Sequence, residues 1–288
     1  MIYIYFYRTE DINCSFYKMN FLNQLIKLIK ISNKLERVFE IEQANMVFTI
    51  ADYANDVQIF GKKIVVYSIQ DNYFRNYNII LNKNVLLILD HYKITTENEE
   101  YNKKVFCLLN ISDLYKKYYS SEILPLSERK YDVVFMGTTQ YDEKITKHRL
   151  DVIQQIKDVC NRNNLKYFIS NKPLKYLNYI NILRNTKIFI SPYGWGEFSL
   201  KEYECICFGT HIVKPKIYFQ YYPNYCENMD DFETNFSNFE SKIIDILANL
   251  DDAQKKVDSN RKMFLDYCVN RHCVELENKI LEVLDSEK

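Results

Sequence analysis

The chain contains 288 residues, of which 47% are hydrophobic, 38 are basic and 38 are acidic, and this length and composition are typical of a soluble protein with about two domains. Because the charges cancel, the sequence lacks the basic surplus with which most nucleic-acid-binding proteins neutralise phosphates, and we expect no nucleic-acid partner. No run approaches the roughly 18 apolar residues of a membrane span, and the N-terminus lacks the features of a signal peptide, so the sequence predicts a cytoplasmic protein without a transmembrane segment.

Residues 1–120 alternate short apolar runs with segments of helical periodicity. Strands are predicted at Ile2–Tyr7, Arg37–Ile41, Met46–Ile50, Lys63–Tyr67, Val85–Leu89 and Val105–Leu109. Apolar residues at helical spacing between Phe21 and Ile29 predict a helix after the first strand. Strands that alternate with helices favour a parallel sheet covered on both faces, so we interpret residues 1–120 as a Rossmann-like domain.

A second unit of the same kind follows the polar stretch Tyr115–Lys130, which we interpret as a linker. Strands are predicted at Tyr131–Met136, Lys166–Ile169, Ile188–Ile190 and Thr210–Val213. Helices are predicted at Arg149–Cys160, Leu174–Leu183 and Leu200–Phe208, and near Asp230–Leu250 and Asp252–Val269. The sequence thus predicts an α/β protein with a second Rossmann-like domain at residues 121–270. A C-terminal helix within 271–288 can cross back to the first domain, and a ligand cleft is expected between the two domains.

Glycine is scarce, with only five in the chain against a usual content of about 7%. The accompanying abundance of Tyr, Asn, Lys and Ile indicates an AT-rich genome. A glycine that persists under this bias is expected where the backbone requires it. Four of the five follow residue 130, namely Gly137, Gly194, Gly196 and Gly209.

The segment from Ser191 to Ser199 has the form of a phosphate-binding loop. A buried strand is predicted to end at Ser191-Pro192, and Gly194 and Gly196 follow it. Ser199 and Glu202 match a capping box that begins a helix, with Glu202 interpreted as a solvated capping residue. Free amides and partial positive charge at a helix N-terminus favour phosphate. A Gly-x-Gly loop before a helix is also common as a simple turn, so the loop by itself is a weak signal.

Two side chains of the following helix strengthen the signal. Lys201 lies in the first turn and adds a full positive charge. Glu204 comes three residues later on the same face, where a carboxylate can accept hydrogen bonds from the hydroxyls of a ribose. Together with the loop, these residues favour a nucleotide ligand.

Residues 131–232 resemble the C-terminal domain of GT-B glycosyltransferases, in the exostosin-like and glycosyltransferase group 1 families. The resemblance is carried by Gly137-Thr138, His148-Arg149, the run from Ser191 to Glu197, Glu204, Gly209 and Val213-Lys214-Pro215. This chain has Lys201 where the family often has Arg, which keeps the charge but loses a bidentate donor. Glu197 and Glu204 are separated by six residues, whereas the retaining subgroup has seven, so the sequence does not assign a retaining mechanism.

The resemblance implies a nucleotide-sugar donor site in the second domain and an acceptor site in the first. Glu204 would bind the donor ribose, and Lys201 and Arg149 would balance the diphosphate. The predicted donor-binding residues are Gly137, Thr138, Arg149, Tyr193, Gly194, Trp195, Gly196, Glu197, Phe198, Ser199, Lys201 and Glu204.

The reaction needs a charge that stabilises the leaving diphosphate and a base that activates the acceptor. No Asp-x-Asp motif occurs in the chain, so we expect a metal-independent enzyme without a cofactor, in which helix dipole and cations stabilise the leaving group. The candidate bases are Asp71, Asp90 and His91, which follow predicted strand ends in the first domain.

The sequence therefore predicts a GT-B hexosyl- or pentosyltransferase. It would move a sugar from a nucleoside-diphosphate sugar to a hydroxyl of a glycan or glycoconjugate. Two alternatives remain open, a nucleotide-sugar epimerase of the same fold and a non-catalytic nucleotide-sugar-binding protein.

Overall fold

A computed structural model describes residues 1–7, 25–50, 53, 61–67, 79–90, 92–93, 98–107, 119, 122–194, 196–218, 220–221 and 223–286. The chain divides into two compact units. The first comprises Met1–Ser112, Phe219–Pro223 and Tyr267–Lys288, and the second comprises Asp113–Tyr218 and Asn224–Asp266. Each unit contains its own parallel sheet with helices, which confirms the predicted α/β class. Among the described helices, none has the length and apolar character needed to cross a bilayer.

The first unit is built on a six-stranded parallel sheet in the order β2-β1-β3-β4-β5-β7. Its strands are β1 (Ile2–Phe6), β2 (Leu35–Val38), β3 (Met46–Ile50), β4 (Lys63–Tyr67), β5 (Val85–Asp90) and β7 (Val105–Cys107). The short strands β6 (Tyr92–Lys93) and β12 (Gln220–Tyr221) form an antiparallel pair. Residues 25–31 are helical, and helix α1 spans Glu99–Lys104. Strand β3 is buried at every position, as expected for a parallel sheet covered on both faces.

The C-terminal helix belongs to this first unit. Helix α7 (His272–Asp285) follows a π-helical segment, Asp266–Arg271. Its residues Leu276 and Ile280 join the same core cluster as Ile4 and Phe48. The helix thus buries an apolar stripe against strands from the other end of the chain.

The second unit is built on a five-stranded parallel sheet in the order β13-β11-β10-β8-β9. Its strands are β8 (Tyr131–Met136), β9 (Tyr167–Ser170), β10 (Thr186–Ile190), β11 (His211–Pro215) and β13 (Asp230–Phe232). Its helices are α2 (Glu143–Arg162), α3 (Tyr176–Arg184), α4 (Leu200–Phe208), α5 (Phe239–Ala248) and α6 (Leu250–Leu265). The bounds of α4 are those predicted from the sequence.

The predicted helix near Asp230–Leu250 is wrong at its start. Asp230–Phe232 forms strand β13, which pairs in parallel with β11, and helix α5 begins only at Phe239. Phe236 has a left-handed φ of 63°, which a continuous right-handed helix does not allow. His211 Nε2 lies 2.8 Å from Asp230 Oδ2 and fixes the first residue of β13 to the first residue of β11.

The end of the predicted linker is part of the second core. Leu126 and Arg129 are buried, and Leu126 belongs to the cluster formed by Val133, Ile188 and their neighbours. Arg129 Nη2 donates a 3.0 Å hydrogen bond to the carbonyl of Phe208 at the C-terminus of α4. This part of the segment therefore folds with the second unit, because Arg129 satisfies carbonyls that the helix leaves open.

Candidate functional site

Strand order places two of the predicted loops side by side. In the second sheet β8 and β10 are neighbours, β9 lies beyond β8, and β11 lies beyond β10. The strand order therefore reverses between β8 and β10, and ligands of open α/β sheets bind beyond the carboxyl ends of the strands at such a point. Gly137 follows β8 and Ser191 follows β10, so the topology brings both predicted glycine loops to this position.

Two cations converge on Gly137. A Cβ atom built on this glycine would lie 2.7 Å from Arg149 Nη2 and closer still to Lys201 Nζ. Both nitrogens thus lie within 2.7 Å of the same point, so the distance between them is at most twice 2.7 Å. A side chain at this position would displace the two cations, because its Cβ would occupy the space of both nitrogens.

Helix α2 positions Arg149, which is only 3% exposed. Its Nη1 donates a 2.7 Å hydrogen bond to the carbonyl oxygen of Tyr193, and its guanidinium lies 5.5 Å from the ring centre of Phe135 and 4.9 Å from that of Tyr141. The buried Nε has no hydrogen-bond partner among the described groups. Burial lowers the pKa of Arg149, and Tyr141 and Glu202 oppose that shift. No described carboxylate forms an ion pair with Arg149, so an anion beside it would supply the missing counter-charge.

Lys201 reaches the same place from the first turn of helix α4. The helix begins with the predicted capping box of Ser199 and Glu202. Burial lowers the pKa of Lys201 and Arg149 lowers it further, whereas Glu202 and Glu204 raise it. Within the described part of the chain, Lys201 has no carboxylate at ion-pair distance. The helix dipole adds to the two side-chain cations at this end of α4, and all three favour a bound anion.

Glu202 is the predicted capping partner of Ser199, but it is buried, so the prediction that it is solvated is wrong. Only 2% of its side-chain surface is exposed. Oε1 accepts hydrogen bonds from Lys214 Nζ at 2.6 Å and from Ser191 Oγ at 2.7 Å. Oε2 accepts from the amide and the hydroxyl of Ser199 at 2.8 and 2.6 Å. Burial opposes ionisation, but Lys214 and these hydrogen bonds outweigh it and lower the pKa of Glu202.

This ion pair holds three elements in one arrangement. Ser191 follows β10, Ser199 is the N-cap of α4, and Lys214 lies in β11. Lys214 also donates a hydrogen bond to the carbonyl of Glu197. A buried polar network that satisfies all its members is rigid, so Ser191, Glu197 and Ser199 are held in place by it.

Glu204 lies beside Lys201 on helix α4 and contacts helix α3. Its Oε2 accepts a 2.6 Å hydrogen bond from the phenol of Tyr179, while Oε1 has no partner among the described residues. Burial raises the pKa of Glu204, and Tyr179 and Lys201 lower it. The remaining oxygen can accept a hydrogen bond from a sugar hydroxyl.

The glycine loop is tied to the segment that follows β11. The hydroxyl of Tyr193 donates to the carbonyl of Lys216, and Glu197 Oε2 accepts a 2.9 Å hydrogen bond from the amide of Tyr218. Within the loop, the amide of Gly194 donates to the carbonyl of Gly196 at 3.2 Å. Of this loop, Tyr193 bonds Arg149 through its carbonyl, and a Cβ built on Gly194 would lie 3.8 Å from Arg149 Nη1.

Two other predicted donor-binding residues, Thr138 and Phe198, make their described contacts with residues other than Arg149 and Lys201. Thr138 is exposed, and its hydroxyl accepts a 3.0 Å hydrogen bond from the amide of Gln140. Phe198 is buried, with its ring centre 4.9 Å from that of Tyr203 and 5.3 Å from Lys214 Nζ. Phe198 thus packs into the core beneath the loop.

Sequence reasoning missed three residues that shape this site: Tyr141, Tyr179 and Lys214. The chain contains 25 tyrosines, so neither tyrosine stands out by composition. Lys214 lies at the end of an apolar strand that the sequence predicts to be buried. Because a lysine is rarely buried without a partner, its position already indicates a buried acidic residue nearby.

Of the three predicted bases, Asp90 lies among the described residues. Asp71 and His91 lie outside the described residues, as does Trp195 of the donor loop. Asp90 is the last residue of β5, is buried, and pairs in register with Cys107 of β7. The identity of the general base stays a prediction.

Comparison with known proteins finds similarity only at the level of structure. No protein-family model matches the chain, and no curated protein matches it. An alpha-glucosyltransferase solved with UDP and a DNA oligomer superposes with a TM-score of 0.54 at 10% identity, covering 98% of this chain and 99% of that one. This chain has a GT-B glycosyltransferase fold.

Two other enzymes share the fold. The trehalose-phosphate synthase (UDP-forming) of Burkholderia vietnamiensis gives a TM-score of 0.53 at 8% identity, with 98% of this chain and 81% of that chain covered. S. aureus TarM, solved with UDP, gives 0.52 at 14% identity, with 91% and 57% covered. Their likeness supports the GT-B fold of this chain.

Proposed function

We propose that this protein is a glycosyltransferase that binds a nucleoside-diphosphate sugar in its second unit and transfers the sugar to a hydroxyl acceptor. The observation that carries the proposal is the convergence of Arg149 and Lys201 on Gly137 at the carboxyl ends of β8 and β10. Two like charges that lie this close, with no carboxylate partner among the described residues, are costly. A diphosphate between them would remove that cost.

The same arrangement suits a metal-independent departure of the leaving group. When the bond between sugar and diphosphate breaks, negative charge develops on the phosphate oxygens. Arg149, Lys201 and the N-terminus of α4 are held in place before that charge appears, and preorganised groups stabilise a transition state without further rearrangement. We expect the enzyme to need no cofactor.

The donor would extend from this anion site in two directions. Glu204, beside Lys201 on α4, is placed to accept hydrogen bonds from the ribose. The loop with Tyr193, Gly194, Gly196 and Glu197 would line the sugar, and Trp195 belongs to the same loop. UDP is present in the solved complexes of two enzymes of this fold, which makes a UDP-sugar the first donor to test.

The acceptor is proposed to be a glycan or glycoconjugate hydroxyl, activated by Asp71, Asp90 or His91 of the first unit. The alpha-glucosyltransferase of this fold was solved with a 13-mer DNA, so a DNA oligomer belongs in the acceptor panel although the net charge of this chain is zero. Transfer to DNA would overturn the expectation that the protein has no nucleic-acid partner.

The proposal is tested by isothermal titration with UDP, ADP and GDP, followed by incubation with nucleotide-sugars and the acceptor panel in the presence of EDTA. We expect binding of at least one diphosphate and release of that diphosphate when an acceptor is added. Conversion of the donor without acceptor would indicate an epimerase instead. Binding without any turnover would indicate a non-catalytic protein, and no binding would overturn the donor-site assignment.

A further inference from the structure

Helices α3 and α4 are joined by a hydrogen bond that the sequence does not predict. The phenol oxygen of Tyr179 lies 2.6 Å from Glu204 Oε2. Tyr179 is half-buried, and its ring stacks on that of Tyr176 with centres 6.4 Å apart. A half-buried, stacked ring has few accessible rotamers, so the phenol is a fixed donor.

We propose that Tyr179 is a positioning residue that makes the donor site selective for ribonucleotides. By bonding Oε2, it orients the Glu204 carboxylate so that Oε1 meets the ribose hydroxyls. The inference rests on the proposed function, because it assigns Glu204 to the ribose of a bound donor.

Restraint of the carboxylate has an energetic consequence. A glutamate side chain loses considerable rotamer freedom when it is ordered, and a ligand that must order it binds less tightly. The bond from Tyr179 orders Glu204 before the nucleotide arrives. An ionised acceptor also makes this a charge-assisted hydrogen bond, which is among the stronger kinds.

The charges around Glu204 decide its ionisation. The groups that act on it are Tyr179 from α3 and Lys201 and Glu202 from its own helix. Burial raises the pKa of Glu204, and Tyr179 and Lys201 counteract this effect. Loss of the phenol would therefore raise that pKa further and favour the neutral acid at a given pH.

Selectivity follows from the cost of leaving a carboxylate oxygen of Glu204 without a partner once a bound nucleotide covers it. A site built to hydrogen-bond a hydroxyl discriminates strongly against an analogue that lacks it, because the polar group of the site is then left without a partner. A 2′-deoxyribose offers one hydroxyl fewer to Glu204. A carboxylate that is free to rotate can bond the remaining hydroxyl or solvent instead. One that is held by Tyr179 cannot rotate, so its oxygen stays without a partner.

The test compares the affinities of the full-length protein for UDP and dUDP, with the ADP and GDP pairs run in parallel, by isothermal titration. In the wild type we expect ribonucleotides to bind about tenfold more tightly than their 2′-deoxy forms. Tyr179→Phe should reduce that ratio to near one and shift the loss of affinity at low pH to higher pH. Tyr176→Phe, which removes a hydroxyl from the same helix, is the matched control and should keep both properties.

Two measurements guard against a merely structural effect. Thermal unfolding reports whether Tyr179→Phe is folded, and Glu204→Gln independently tests the carboxylate, since it should also abolish the ribose preference. In the Glu204→Gln background, Tyr179→Phe should have no further effect on that preference. An unchanged ratio in Tyr179→Phe, while the wild type binds and discriminates, would overturn the inference alone. Failure of the wild type to bind any of the six nucleotides would overturn the proposed function and the inference together.

Discussion

Arg149 Nη1 donates a 2.7 Å hydrogen bond to the carbonyl oxygen of Tyr193. This contact joins helix α2 to the loop after β10 and directs the other terminal nitrogen, Nη2, toward Gly137. The cation is therefore placed by the backbone of the loop that would surround the donor. Substitution of Arg149 should therefore affect nucleotide binding more than folding.

Removal of one site cation should weaken diphosphate binding without unfolding the protein. Arg149→Met or Lys201→Met is expected to lower affinity for a nucleoside diphosphate about 10- to 100-fold, because charge-assisted hydrogen bonds to phosphate are lost. In the absence of ligand, Lys201→Met should not lower the melting temperature, since it relieves repulsion with Arg149. Lys147→Met makes the same charge change at an exposed position of α2 and should leave affinity unchanged.

An alanine at position 137 should displace the cations. The new Cβ would lie 2.7 Å from Arg149 Nη2 and closer to Lys201 Nζ, and both are the ends of flexible side chains. We expect a small change in melting temperature but a loss of affinity of at least about tenfold, measured by titration calorimetry. Gly194→Ala is a comparison for stability, because its nearest neighbour, Tyr141 Oη, would be at an ordinary 3.5 Å. Undiminished affinity in Gly137→Ala would show that the cations need not occupy this place.

Breaking the buried pair of Glu202 and Lys214 should destabilise the second unit. Either Glu202→Gln or Lys214→Met is expected to cost about 3–5 kcal/mol, because the partner is left as an uncompensated buried charge. The double variant Glu202→Leu/Lys214→Met should lose less than the sum of the two. Urea unfolding monitored by far-ultraviolet circular dichroism measures the change in the free energy of unfolding. Glu240→Gln removes the exposed partner of Arg162 and should cost far less.

The same carboxylate predicts an acid-sensitive stability. The pKa of Glu202 is lowered from its ordinary value near 4.5, so the unfolded chain takes up the proton at a higher pH than the folded one. The stabilisation by Glu202 is therefore present above about pH 4.5 and is lost as pH falls through the folded pKa. Melting temperature against pH should fall more steeply below that point in the wild type than in Glu202→Gln. Parallel curves would contradict this account.

Gly209→Ala should destabilise the end of helix α4. Its φ of 68° is left-handed, and a Cβ there would collide with Ile123 Cδ1 and lie 3.1 Å from Arg129 Nη2. We expect a loss above the 1 kcal/mol or so that a left-handed alanine costs by itself. Gly61→Ala is the control, since Gly61 has φ of 60° and no described atom within 4 Å of the added Cβ. Equal melting temperatures for the two variants would mean that Ile123 and Arg129 move away from the new Cβ at no measurable cost in stability.

Elements with strong local signals were predicted closely. Helix α4 has the predicted bounds because Ser199 and Glu202 form its capping box and Gly209 ends it in a left-handed conformation. Helix α2 begins earlier than predicted, at Glu143, because Asp142 caps it with a side-chain bond to the amide of Ile145. The strand Asp230–Phe232 was not predicted because it is stabilised by pairing with β11. The local sequence pattern does not indicate that pairing.

The sequence by itself determined the alternation of strands and helices, the capped helix, and the glycines at positions 137, 194 and 196. These follow from hydrophobic periodicity and from hydrogen bonds between residues a few positions apart. Only the tertiary structure decided that Arg149 and Lys201 meet over Gly137, that Tyr179 holds Glu204, and that Glu202 is buried against Lys214. The first of these contacts depends on β8 lying next to β10 in the sheet, and the last depends on β11 lying next to β10. Strand order is set by the packing of the whole unit, so residues far apart in the chain become neighbours only when the sheet is assembled.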